Sequence, residues 1–319
     1  MKKVLASVLA AGALVGCASG TKDTVRLNAA GATFPAPLYN SWFHTLAQEG
    51  GPEVNYQAVG SGSGVRQFNA GTTDFGASDK AVKDGNERPV VQIPMTGGAI
   101  VPAYNNPGCD LRVTQTQLAD IFLGNITTWE EVGCDGGTIT VVHRSDGSGT
   151  TAGFTASLSA FSEEWRTEVG SGKAVAWPTG VGGKGNSGVA GIIRNTEGSI
   201  GYLNYGYING GQFQQASVQN RDGNFVQANA ETSAAGLSQI VLDDQLRGSD
   251  PNPAGANSYP IVSLTWILAH PEHENNETMR EVFGYMLSDE AQAVSDSLGY
   301  VPLPESIREQ AREVVETLK

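Results

Sequence analysis

The sequence predicts an α/β protein with mainly parallel sheets, divided into two domains. Three observations lead there. Apolar runs of strand length alternate with stretches of helical spacing along most of the chain, the pattern of parallel sheets covered by helices. The 319 residues are too many for one ordinary core. After the buried-looking stretches Val90 to Ile93 and Ala99 to Ala103, composition changes near Tyr104 to a polar loop with Pro107, Gly108 and Cys109; that change and the apolar stretch Tyr259 to Ala269 are candidate crossings between domains. The expected boundaries are a leader over 1–17, a discontinuous first lobe of 25–100 plus 263–319, and a second lobe of 101–262.

In chain order, Lys2 and Lys3 followed by the apolar run Val4 to Val15 read as an export leader. The run is too short for a dependable membrane span. Leu27 to Gly31 is expected to be a first strand, and Thr33 with Pro35 a helix start, as cap and early proline. Leu38, Trp42, Phe43 and Leu46 then share one helical face. Gly50-Gly51-Pro52 ends that helix, and Val54 to Val59 alternates like a half-buried strand. Ser61 to Gly64 opens a short helix carrying Val65 and Phe68, and Asp74 to Asp79 returns as a strand. Thr114 to Phe122 and Thr127 to Val132 have helical patterns, and Thr138 to Val142 is a β-branched strand. Trp177 to Gly188 is glycine-rich, with Gly180 to Gly185 read as a mobile loop near the cleft, and Ser199 to Ile208 reads as an aromatic strand. Ser233 to Leu242, Thr278 to Ser297 and Glu305 to Leu318 are expected helices.

Charge narrows the function. The formal net charge is −13, and about −15 without Lys2 and Lys3, which argues against nucleic acid as a partner. An anionic ligand gains no long-range steering from such a molecule. Any anion affinity must come from short-range donors in a closed site.

The stretch Arg144-Ser-Asp-Gly-Ser-Gly-Thr150 supplies such donors. A strand delivers a guanidinium, a carboxylate and a small-residue turn onto a helix start, where Ser148 or Thr150 can cap. The first-turn N–H groups lack intrahelical partners and attract an oxyanion. Thr33-Phe34 and Ser61 to Gly64 repeat this arrangement; taken singly, each is an ordinary cap or turn. Two carboxylates discriminate among anions. Asp146 is expected to pair with Arg144, its plain alternative to accepting a ligand proton. Asp79, a turn or cap in the bland reading, is the better acceptor for a proton that phosphate carries and sulfate lacks.

Enzyme readings are poorly supported. Gly180 to Gly185 matches GxGxxG without the expected following helix and acidic partner, and Lys184 is followed by Gly rather than Ser or Thr. No G-x-S-x-G surrounds the candidate serines and no H-E-x-x-H occurs. His143 and Arg144 should point to opposite faces of their strand. Cys109 and Cys134 suit a disulfide in an exported protein, worth roughly 3–4 kcal/mol; a metal site lacks a nearby His pair.

Ala30 to Pro37, Val59 to Gly64, Asp74 to Asp79, Arg144 to Thr150, Trp177 to Gly188 and Gly198 to Tyr205 together resemble the PstS-type phosphate-binding proteins of bacterial phosphate ABC importers. The resemblance spans nearly all of the chain after the leader. It implies a two-lobed periplasmic-binding-protein fold of type II, with two crossing strands as hinge, that closes on one phosphate. It places the ligands on Thr33, Phe34 through its N–H, Ser61, Asp79, Arg144, Ser148, Gly149 and Thr150, with Asp146 as partner of the arginine. The order Ser61-Gly62-Ser63-Gly64 leaves open which serine points inward. Leu14-Val15-Gly16-Cys17 resembles a lipobox, with Cys17 as lipid anchor; ordinary cleavage after Ala18 or Gly20 is the alternative. The implied protein is a non-enzymatic periplasmic monomer without cofactor or metal, delivering inorganic phosphate to permease subunits in the inner membrane. Binding of sulfate, or a phosphatase-like activity, are the competing readings.

Overall fold

The computed structural model describes residues 25–83, 86–208 and 213–319; the leader and Cys17 lie outside the described residues. One strand, Val91–Asn105, organises the rest. Its first part pairs antiparallel with Val262–Ala269, from Ala99 opposite Val262 to Val91 opposite Ala269. Its second part pairs antiparallel with Ser199–Asn204, Ile100 lying opposite Asn204. Where two separate buried stretches are expected around Ile93 and Ala103, a single strand of 15 residues runs through both. It is buried at nearly every position, so alternation gives no signal along it.

Two parallel sets flank this strand. Arg26–Gly31 pairs in parallel with Glu53–Ala58 and with Phe75–Ser78. Thr140–Arg144 pairs in parallel with Ser199–Asn204 and Val181–Gly183. The expectation of mainly parallel sheets therefore holds at the flanks and fails at the centre. There the chain crosses out along Val91–Asn105 and back along Val262–Ala269, and neighbouring strands traversed in opposite senses must be antiparallel. A smaller sheet joins Arg112–Val113, Ser217–Gln219 and Phe225–Val226.

The helices bury the faces their spacing marks. Leu38, Trp42, Phe43 and Leu46 of Ala36–Gln48 are buried and join Phe75 and Phe283 in the core. Gln115–Leu123 starts with a reciprocal capping box between Thr114 and Gln117. Between strand Thr140–Arg144 and the helices beside it, Phe122, Phe154, Trp177 and Tyr202 pack as a run of aromatic rings. Cys109 and Cys134 form a disulfide with Cα atoms 5.4 Å apart.

Four local expectations are corrected. Gly180 to Gly185 is not a loop throughout: Val181–Gly183 is an edge strand, and a helix, Gly185–Asn195, follows the GxGxxG stretch. Its small residues have poor helix propensity, and burial of Val189, Ala190 and Ile193 overrides it. Thr278 to Ser297 is two helices, Asn276–Met286 and Asp289–Ala293, because Ser288 caps the second by accepting the Ala291 N–H. Thr127 to Val132 yields only a short 3-10 turn, Trp129–Val132. Thr33 does not cap the first helix, whose start at Pro35 has no side-chain cap. Among the described residues no helix is long and apolar enough to cross a membrane.

Candidate functional site

Three helix starts converge between the two flanking sheets: Thr33-Phe34 ahead of Ala36–Gln48, Ser61 opening Ser61–Ala70, and Ser148-Gly149-Thr150 opening Gly149–Phe161. Each follows a strand that delivers the chain to that point. Ser148 is the cap of the third helix, its hydroxyl accepting the Thr151 N–H at 3.0 Å. The N–H groups of Gly149 and Thr150 belong to the unpaired first turn and carry the positive end of the helix dipole.

The glycines between these starts permit close approach. At Gly149 an added Cβ would lie 2.5 Å from Ser61 Oγ and 2.8 Å from Asp79 Oδ2. Gly60 has φ +92, and its Cβ would lie 2.2 Å from Asp146 Oδ2. The backbone closes the same gap, Gly62 N donating to Gly147 O at 2.7 Å.

Polar contacts then bind the groups into one cradle. Ser61 and Thr150 hydroxyls each lie 3.4 Å from Asp79 Oδ2. Thr265 donates to Asp79 Oδ1 at 3.0 Å. Asn186 Nδ2 reaches Thr33 Oγ1 at 2.9 Å and Thr150 Oγ1 at 3.3 Å, so Thr33's hydroxyl faces the cradle instead of a cap. Ser61 is the inward serine; Ser63 accepts a hydrogen bond from Arg66. The Phe34 ring is buried edge-on against Tyr300, which leaves its N–H as the group able to meet a ligand.

Charge is arranged asymmetrically. Arg144 is 4% exposed and holds Asp146 through Nε to Oδ1 at 2.7 Å and Nη2 to Oδ2 at 2.6 Å. Its third nitrogen, Nη1, is buried without a hydrogen-bond partner. A buried guanidinium N–H left unpaired is costly, so an oxyanion there completes the arrangement. Burial tends to raise the Asp146 carboxyl, but the hydrogen bonds and charge of Arg144 outweigh it and hold Asp146 below the usual range. Asp79 behaves oppositely. Its burial raises it to about 6, against the Thr265 hydrogen bond and the charges of Arg144 and Lys173, which act to lower it. The cradle thus contains neutral donors, Arg144, whose charge Asp146 partly neutralises, and one desolvated acceptor, with the Lys173 charge acting on that acceptor as well. His143 stacks on Trp177 with ring centroids 4.9 Å apart, and no contact joins it to Ser148 among the described residues.

These features suit a tetrahedral oxyanion that still carries a proton. All eight ligand positions expected from the sequence lie at these three helix starts, in the strand end at Arg144, or at Asp79 facing them. Sequence reasoning missed Asn186, Thr265 and Lys173. Thr265 is one of two polar residues, with Ser263, in an otherwise apolar strand, a readable signal; Asn186 and Lys173 sit in segments whose sequence gave none. A cavity of about 660 Å³ opens beside Asp79, between Ala152 to Ser157 and Val262 to Leu264. Lys80, Lys83, Arg247 and Asp250 also line it, and of the cradle residues only Asp79 does, so it is a neighbour of the cradle rather than the anion site.

A model described as a PBP superfamily domain matches residues 18–290. The phosphate-binding protein PstS of Pasteurella multocida is 38% identical over 314 residues, covering 90% of this chain and 89% of that protein. The chain belongs to the PstS phosphate-binding protein family. The PstS of Haemophilus influenzae is likewise 38% identical, covering 88% of this chain and 90% of its own length. Among solved structures, the high affinity periplasmic phosphate-binding protein PfluDING superposes with a TM-score of 0.73 at 20% identity, covering 91% of this chain and 93% of that one. A phosphate-binding protein from Stenotrophomonas maltophilia gives 0.71 at 18% identity, with 91% and 94% covered. The fold of this PstS-family chain is accordingly the mixed α/β periplasmic-binding-protein fold with two sheets.

Proposed function

We propose that this chain captures inorganic phosphate outside the cytoplasm and hands it to an ABC permease for import, without catalysing a reaction. The observation that carries the reading is the pairing of an unpartnered buried Arg144 Nη1 with a desolvated Asp79 across one cradle. Thr33, Phe34 N–H, Ser61, Arg144, Ser148, Gly149 and Thr150 donate to the phosphate oxygens, and Asp79 accepts the phosphate proton. Sulfate would bring an oxygen lone pair against that carboxylate and is rejected.

In this reading residues 25–100 with 263–319 form one lobe and 101–262 the other. Val91–Asn105 and Val262–Ala269 are the hinge on which they close, excluding water and strengthening each hydrogen bond. Cys17 tethers the protein to the membrane through a lipid. The names and lengths of the relatives support the ligand and the delivery role, and the cradle's composition supports the site assignment. Calorimetric titration with phosphate, then sulfate, tests it. Micromolar or tighter binding of phosphate with no heat from sulfate is expected; equal binding of both, or of neither, overturns the reading.

A further inference from the structure

The loop that offers Thr33 and Phe34 to the ligand is held from behind by tyrosines. Tyr56 donates its hydroxyl to Ala32 O at 2.6 Å, Tyr207 to Thr33 O at 2.5 Å, and Tyr300 to Phe34 O at 2.7 Å. Three successive carbonyls thus each receive a phenol, and the three phenols come from distant parts of the chain. Tyr56 lies on the edge strand Glu53–Ala58, Tyr207 follows strand Ser199–Asn204, and Tyr300 lies near the C-terminus. Gly206 lets the Tyr207 turn nest against the other segment, since a Cβ there would lie 2.7 Å from Leu298 O and 2.8 Å from the Tyr300 ring.

A peptide's C=O and the following N–H form one conjugated unit, so a donor on the oxygen makes the N–H a stronger donor. The carbonyl of Thr33 shares its peptide with the N–H of Phe34. The carbonyl of Ala32 shares its peptide with the N–H of Thr33. The carbonyl of Phe34 shares its peptide with Pro35, which has no N–H. Of the three phenols only Tyr207 therefore acts on the amide expected to touch the anion, at 2.5 Å against 3.4 Å for the Ala36 N–H on the same carbonyl, and it does so from the half of the chain that carries Arg144. Burial pushes the Tyr207 hydroxyl up to about 12, so it remains a donor across the physiological range. Tyr56 and Tyr300 are raised as well, burial again being the main cause.

We infer that Tyr207 is a positioning and polarising residue for phosphate: its hydroxyl fixes the Thr33–Phe34 peptide and strengthens the Phe34 N–H toward the ligand. Tyr56 and Tyr300 hold the same loop in place with less effect on affinity. The inference rests on Thr33 and Phe34 being ligands.

The experiment compares Tyr207→Phe, Tyr300→Phe and Thr33→Ala in phosphate affinity, thermal stability and the Phe34 amide resonance of the phosphate-bound protein. Tyr207→Phe is expected to weaken phosphate binding roughly tenfold and to shift the Phe34 amide upfield. Tyr300→Phe should lower the melting temperature more and the affinity less. Affinity within about twofold of the parent in Tyr207→Phe, or an unmoved Phe34 amide, overturns the inference. If Thr33→Ala still loses affinity in that case, the ligand assignment stands and only the role of Tyr207 falls; if Thr33→Ala is also silent, both fall. Should Tyr207→Phe fail to fold, 3-fluorotyrosine at 207 takes its place. The more acidic hydroxyl is expected to tighten binding about twofold, and unchanged or weaker binding overturns the inference.

Discussion

Asp79→Asn separates stability from selectivity at one atom. Burial holds the Asp79 carboxyl at about 6 in the folded protein, above its ordinary value of 3.8. The folded chain therefore keeps this proton across a window in which the unfolded chain has released it. Within that window the unfolded state binds fewer protons, so the ligand-free protein loses stability as the pH rises from about 4 to about 6. The gap of roughly two pH units, at about 1.4 kcal/mol each, amounts to about 3 kcal/mol at neutral pH. Asparagine removes the charge and keeps the shape. In guanidinium denaturation of phosphate-free protein, Asp79→Asn should match the parent near pH 3.5 and exceed it by about 1–3 kcal/mol at pH 7. In titrations the same variant should bind phosphate about tenfold more weakly and begin to accept sulfate. An advantage equal at both pH values would refute the desolvation argument. Continued refusal of sulfate would remove Asp79 from the acceptor role.

Further outcomes follow from the contacts in the cradle. Arg144→Ala strands Asp146, whose side chain is only 12% exposed; it should cost about 3 kcal/mol in denaturant unfolding and lower phosphate affinity at least about a thousandfold by calorimetry. Gly149→Ala places a methyl group 2.5 Å from Ser61 Oγ and 2.6 Å from Asp79 Cβ, so affinity should fall about a hundredfold or more and the ligand-free protein should lose about 1–3 kcal/mol, read as a lower melting temperature. Asn186→Ala removes the amide joining Thr33 and Thr150 and should weaken binding about tenfold in the same titration. Replacing Cys109 and Cys134 together by Ser should lower stability by roughly 3 kcal/mol and leave phosphate affinity unchanged.

The parts of the site that could be read early are those whose chemistry is local. Ser148 as a helix cap and Arg144 beside Asp146 lie within a few residues of their partners, whereas the glycines of Gly60 to Gly64, legible as a small-residue turn, meet Asp146 and Gly147 only in the folded chain. The side-chain partners of Arg144 and Ser148 are two and three residues away, so short-range geometry suffices. What was misread depends on packing. The helix Gly185–Asn195 forms from residues with weak helical preference because Val189 and Ile193 are buried. Thr33 turns away from capping because Asn186, more than 150 residues later, supplies its partners. The break at Ser288 is a local cap that uniform amphipathic spacing conceals.

By itself the amino-acid sequence determined the alternation of strands and helices, the acidic surface that leaves anion binding to local donors, and the family, because these depend on residue type and short spacing. Tertiary structure alone decided that Val91–Asn105 is one continuous strand serving both sheets. It also decided that Arg144 has one nitrogen to spare, that Asp79 is desolvated, and that Tyr207 reaches the loop ahead of the first helix. Each of these is a matter of which distant groups exclude water from one another, and burial is a property of the assembled chain rather than of any segment within it.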